Sequence, residues 1–221
     1  DLGPAKNECD LFDAALLDNK GRFVETFMTA ASPGIVCTTL GNKHYSSHEG
    51  YVRAVAKEMK KEYELISKRG YLLQLDCPDL AMERHGMFQH SSTAEFLDAI
   101  AIHIDAINEA CADIPFDKIR LHVCWGNYDG PHDFDVPLAD IWPVVSQAKV
   151  GAFSIEFANP RHQHEYAALK KCKVRDDILL IPGVIDSTVN YVEHPEVVCK
   201  RILEAVEAIG DKEKIIAGAD C

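Results

Sequence analysis

Four residues far apart along the chain carry ligand atoms of the kinds a single metal ion accepts: His122, Cys124, Glu156 and Cys221. Residues 119–124 read Ile-Arg-Leu-His-Val-Cys, an alternation in which positions i and i+2 project to one face of a strand. His122 and Cys124 therefore point the same way, just where the chain turns into Trp125-Gly126-Asn127-Tyr128. Imidazole nitrogen, thiolate sulfur and carboxylate oxygen are all ligands of tetrahedral Zn²⁺, and soft thiolates argue against Mg²⁺ and Ca²⁺. Each residue also has a plainer reading. His122 and Cys124 could be a buried thiol beside a hydrogen-bonded imidazole, Glu156 a partner for Arg161, and Cys221 a structural thiol. The joint arrangement at three strand ends favours zinc.

The ligand charges say what such a zinc is for. Two thiolates and a carboxylate leave a site of formal charge about −1, a poor Lewis acid for water beside the three-histidine sites that generate hydroxide. It can still keep an incoming thiol deprotonated and nucleophilic. The expected chemistry is alkyl transfer to sulfur, with Glu156 the ligand most easily exchanged for the incoming thiol.

The elements that must position these groups alternate strand and helix. Residues 1–22 carry short helical signals, residues 23–33 read as a strand running into small residues, and residues 34–45 as an irregular connection. Ser46 and Glu49 have capping-box spacing, opening a helix with Val52, Val55, Met59, Tyr63 and Ile66 on one face and Gly70 as its stop. A strand over 71–75 ends in Asp76-Cys77-Pro78. Ser92 and Glu95 form a second capping box, for a helix burying Phe96, Ile100, Ile104 and Ile107. After the His122/Cys124 strand, a helix is expected over 137–147, bent or ended near Pro143. A strand over 151–157, a helix over 164–172 and a strand over 178–185 follow, the last reaching Asp186. Pro195 starts a helix that Gly210 stops, and residues 214–218 form a last strand.

Near-continuously apolar strands alternating with helices mark a parallel sheet covered by helices. Asp76, His122, Cys124, Glu156, Asp186 and Cys221 all fall at carboxyl ends of strands, where a (β/α)8 TIM barrel carries its active site. No Gly-rich dinucleotide fingerprint follows any strand, so the barrel is favoured over a doubly wound sheet. About six strands are legible where a barrel has eight. Residues 1–221 are accordingly read as one barrel domain belonging to a longer polypeptide, with upstream strands and a C-terminal helix not represented.

The chain has 221 residues, 47% of them apolar, enough for one substantial core. Its net charge of −12 argues against nucleic acid or an anionic membrane as partner, and no apolar run reaches the roughly 20 residues of a membrane helix. Eight scattered cysteines fit small apolar residues of a reduced, cytoplasmic protein better than a disulfide framework.

The segments HVC (122–124), IEF (155–157), PGVID (182–186), AGADC (217–221) and LLQLDCPDL (72–80) together resemble the catalytic barrel of cobalamin-independent methionine synthase. They resemble its single-barrel relatives still more closely, including epoxyalkane:coenzyme M transferase. The likeness runs from about residue 27 to residue 221. It implies a zinc-dependent, thiol-alkylating barrel of methionine biosynthesis, with metal ligands falling on His122, Cys124, Glu156 and Cys221. The Asp of the family's Gln-Ile-Asp-Glu-Pro segment, which holds the amino group of homocysteine, falls on Asp76. Two departures matter: the family's folate-contacting Glu falls on Met82, and the His of its Val-Tyr-Asp-Ile-His segment falls on Thr188. A methyltetrahydrofolate donor needs a proton at its leaving nitrogen, so acceptor and donor could both differ. His85, His90, His132, His162 or His164 could supply the acid.

The leading expectation is a zinc-dependent transferase moving a methyl or larger alkyl group onto a zinc-held thiol, its partners being a small-molecule thiol and an alkyl donor. Asp76 would position the thiol, against the alternative of a turn before Pro78. Asp186 would orient a substrate or ligand, an Asx turn being an equal account. Epoxide opening is one alternative, with Arg84 and Arg161 as candidate anchors for a sulfonate. A metal-dependent hydrolase would favour His and carboxylate ligands over two thiolates. A binding barrel with structural zinc is a third reading.

Overall fold

A computed structural model describes residues 1–128, 130–172 and 174–221. Its strands are β1 (Phe27–Ala31), β2 (Leu72–Cys77), β3 (Ile119–Val123), β4 (Ala152–Ile155), β5 (Leu179–Ile185) and β6 (Gly218–Ala219). Its helices are α1 (Gly3–Asp18), α2 (Pro33–Thr39), α3 (His48–Lys68), α4 (Thr93–Ala110), α5 (Leu138–Val145), α6 (Tyr166–Lys171) and α7 (Pro195–Ile209). All strand pairs are parallel and the spatial order is the chain order, β1 to β6. Order without reversal is how strands follow one another around a barrel, whereas a doubly wound sheet reverses at a switch point. The sheet curls into a half-barrel, and successive helices from α2 to α7 pack on one another in the same sequence.

The alternation of each strand sorts its two faces. Leu73, Leu75 and Cys77 of β2, Leu121 and Val123 of β3, and Phe153 and Ile155 of β4 are fully buried. They face helix residues such as Ile66, Ile100 and Ile104 in one continuous core. The opposite, concave face carries Gln74, Asp76, Arg120, His122 and Ser154, which line a cavity of about 310 Å³. Among the described residues no helix is long and apolar enough to cross a membrane.

Local signals succeed where the chain near in sequence decides. Ser92 accepts from the Glu95 amide while Glu95 accepts from the Ser92 amide, the reciprocal capping box. Gly210 takes φ +81° and ends α7. Three expectations need correction. Ser47, not Ser46, caps α3, accepting from the Gly50 amide at 3.1 Å, and Glu49 turns instead to Arg53 at 2.9 Å. Residues 33–39 form α2 and are not irregular: Ser32 accepts from the Ile35 amide and Pro33 takes the first helical position. The last strand lies at Gly218–Ala219, with Ile215 only bridged to Leu180.

Candidate metal centre

Parallel register sets Asp76, His122 and Ser154 side by side across β2, β3 and β4 on the concave face. Cys124 lies one residue past β3, Glu156 one past β4, and Cys221 two past β6. The ligand atoms of His122, Cys124 and Cys221 lie within 4.8 Å of one another. The two sulfurs are 3.5 Å apart, far beyond a disulfide bond and near the roughly 3.8 Å that two thiolates subtend on tetrahedral zinc with Zn–S of about 2.3 Å. All eight cysteines are free.

His122 is prepared for a ligand. Its Nδ1 faces the Ser154 carbonyl at 3.3 Å, and a carbonyl only accepts, so Nδ1 carries the proton. Nε2 is buried with no hydrogen-bond partner, its lone pair left for an electrophile, as in imidazoles oriented by an outer-shell carbonyl. Cys124 Sγ accepts the Gly126 amide at 3.3 Å, where Gly126 has φ +101° and a Cβ would stand 3.0 Å from Met82 Sδ.

The charges are mutually dependent. The Cys124 thiol beside it, then His122, lowers the Cys221 pKa to about 4. Cys124 is pushed the other way, by Cys221 first and by burial second. The pair thus favours a shared proton, one thiolate beside one thiol. Burial would lower the His122 pKa, but Cys221, Asp76 and Glu156 outweigh it and raise it.

Glu156, the expected fourth ligand, is not in the group whose ligand atoms lie within 4.8 Å of one another, though it interacts with Cys124. One oxygen accepts the Trp125 amide at 3.0 Å and the other accepts Asn159 Nδ2 at 2.9 Å. Arg161, its plainer partner, lies 3.9 Å away. Burial raises the Glu156 pKa against the opposing pull of Cys124 and the Trp125 amide. Asp76 lines the same cavity as His122 and Cys221, and burial raises its pKa too. Asp186 Oδ1 closes an Asx turn, accepting the Thr188 amide at 2.8 Å and the Thr188 hydroxyl at 2.6 Å. Arg84 donates to the carbonyls of Phe88 and Gln89. His90 and His164 are exposed.

Sequence reasoning missed Asp220. Its Oδ1 accepts the amides of Phe157 (3.0 Å) and Ala158 (2.8 Å), and its Oδ2 accepts the amide and side chain of Asn159 (2.8 and 2.9 Å). One carboxylate on the Cys221 segment thus shapes the turn that carries Glu156. Only the adjacency Asp220-Cys221 hints at it along the chain.

Comparison with known proteins follows the same lines. No protein-family model matches the chain. It is 33% identical over 181 residues to methionine synthase of Thermococcus kodakarensis, covering 81% of this chain and 45% of that protein. To methionine synthase of Pyrococcus horikoshii it is 29% identical over 181 residues, with the same coverage. The chain therefore spans about half the length of the curated relatives it matches. Among solved structures it is similar to a B12-independent methionine synthase from Shewanella sp. W3-18-1 in complex with selenomethionine. That likeness has TM-score 0.74 and 19% identity, covering 95% of this chain and 58% of that one. A putative vitamin-B12 independent methionine synthase from Listeria monocytogenes matches with TM-score 0.58 and 20% identity, over 87% of this chain and 56% of that one. At these identities the structural likeness speaks for the barrel fold.

Proposed function

Because this chain belongs to the cobalamin-independent methionine synthase family, we propose that it transfers a methyl or other alkyl group to a thiol held at a zinc centre. The observation that supports this most is the convergence of His122, whose Nε2 is buried without a hydrogen-bond partner, with the sulfurs of Cys124 and Cys221. His122, Cys124 and Cys221 would hold the ion, with Glu156 as fourth, exchangeable ligand. Zinc bound there supplies a means of keeping an acceptor thiol deprotonated and nucleophilic at neutral pH.

The chain's own residues do the rest. Asp76 offers a carboxylate in the cavity beside His122, placed to bind the ammonium group of an amino-acid thiol such as homocysteine. Asn159 and the Trp125 amide each hold one oxygen of Glu156, bonds that its exchange on and off a metal would have to loosen or keep. Asp186, with Oδ1 taken by Thr188, orients substrate through its second oxygen. The Thr188 hydroxyl already donates to Asp186, so it stands as a turn residue and not as the proton donor of a folate-dependent reaction.

The deciding experiment is zinc X-ray absorption of the loaded protein with and without homocysteine or coenzyme M. The expected result is one added sulfur neighbour with the acceptor thiol. Unchanged coordination with both thiols, together with no loss of free thiol in the presence of alkyl donors, overturns the proposal.

A further inference from the structure

A second cluster, linked to Trp125 through His162, contains no sulfur. His85 Nδ1, His132 Nδ1 and Asp135 Oδ1 converge, the oxygen lying 3.5 Å from the first nitrogen and 3.0 Å from the second. His85, His132 and Asp135 offer ligand atoms within 4.8 Å of one another. Donors on one ion with bonds of about 2.0–2.1 Å stand roughly 2.9–3.4 Å apart. The spacing suits a divalent transition ion bound by two imidazoles and a carboxylate.

The hydrogen-bond partners around these atoms point to a cation between them. His132 Nε2 faces the Tyr128 carbonyl at 3.2 Å, which only accepts, so Nε2 carries a proton. Its Nδ1 faces Asp135, another acceptor, 3.0 Å away. His85 is placed between the same two residues: Nε2 shares a hydrogen bond with the Tyr128 hydroxyl at 3.4 Å and Nδ1 faces Asp135. A divalent ion between the two rings and the carboxylate would take the place of the ring protons that otherwise join them. Asp135 Oδ2 is oriented by His162 Nε2 at 2.8 Å, the outer-shell support that metal-binding carboxylates and imidazoles receive.

The protein spends conformational energy on this arrangement. Among the described residues His132 is the only non-glycine residue with positive φ, at 53°, a state of modest cost that persists where surroundings impose it. Its ring stacks on Tyr128 at 4.2 Å. His85 opens onto a cavity of about 400 Å³ that Glu83 and Tyr128 also line, so an ion can enter. We infer that His85, His132 and Asp135 form a second divalent-metal site of nitrogen and oxygen ligands, suited to Zn²⁺, Co²⁺ or Fe²⁺ and separate from the thiolate centre.

Cobalt titration of the full-length protein, stripped of metal with a chelator, tests this. Two Co²⁺ ions per chain are expected, one with intense thiolate-to-metal charge-transfer absorption and one with weak ligand-field bands only. The double variant Cys124→Ser/Cys221→Ser should lose the first and keep the second. His85→Ala and Asp135→Asn should each weaken the second by more than about 10-fold while the charge-transfer band persists, and that band reports a folded β3–β6 region. A single ion per chain, seen only through its thiolate band, overturns the inference and leaves the proposed function standing. A second ion that binds equally well in both His85→Ala and Asp135→Asn also overturns it. The converse result, weak bands alone and no thiolate band, would remove the sulfur centre and keep this one.

Discussion

Gly183 on β5 and Asp220 beyond β6 are fitted to one another: a Cβ on Gly183 would stand 1.9 Å from Asp220 Oδ1 and 2.7 Å from Asp220 Cα. The missing side chain makes room for the carboxylate that binds the turn carrying Glu156. Gly183→Ala should cost about 1–3 kcal/mol of stability, as overpacking does. It should also lower zinc affinity, because Cys221 follows Asp220 directly. Chemical denaturation and metal analysis check the two effects. Full zinc content at unchanged stability would contradict the fit.

Under the proposed function Asp76 binds substrate and not metal, so its substitution should separate binding from chemistry. Loss of one hydrogen bond to a charged group amounts to about 1.5–3 kcal/mol, or roughly 10- to 100-fold in affinity. Asp76→Asn is expected to raise the KM for an amino-acid thiol by that factor, with zinc content unchanged. For a thiol lacking an amino group the effect should vanish. Steady-state kinetics with both acceptors gives the comparison.

The start of α3 offers a test of one residue against its neighbour. Ser47 makes the cap and Ser46 does not. Ser47→Ala should destabilise by about 1 kcal/mol, and Ser46→Ala by no measurable amount. Ser92→Ala should cost at least as much as Ser47→Ala, because the Ser92 hydroxyl both accepts the Glu95 amide and donates to the Glu95 carboxylate. Thermal unfolding of the three variants decides the order.

A chain of polar groups behind α2 makes stability depend on pH. His48 Nε2 meets His103 Nε2 at 2.8 Å, His103 Nδ1 meets Asp79 at 2.8 Å, and the Ser32 hydroxyl donates to the other Asp79 oxygen. Burial first, and His103 second, lower the His48 pKa from its ordinary value of 6.5, with Asp79 opposing. The folded state thus favours neutral His48. The associated stability is present above pH 6.5 and is lost as pH falls through the lowered folded value. Unfolding midpoints of the wild type should drop more steeply below pH 6.5 than those of His48→Gln. Parallel curves would show that His48 does not titrate with folding.

Much of this architecture is readable in single segments, because the deciding forces act over a few residues. The strand period set His122 and Cys124 on one face, and the reciprocal Ser92/Glu95 pair marked α4. Alternating strands and helices, with polar residues at strand ends, identified a barrel and a carboxyl-end site. The near misses are just as local. Two serines stand in line before α3, and backbone geometry alone chooses Ser47. Helix α2 has seven residues, too few for an apolar period to emerge.

The amino-acid order by itself determined which groups are available: an imidazole, two thiols and several carboxylates, each at the end of a strand. Only the tertiary structure decided which of them meet. Parallel register brings Asp76, His122 and Ser154 abreast, and β6 beside β5 carries Cys221 to within 3.5 Å of Cys124. Asp220, Gly183 and the His85/His132/Asp135 cluster had no periodic signature to betray them. Their geometry arises from strand and loop segments brought together by the curl of the sheet, and separation along the polymer carries no record of distance in space.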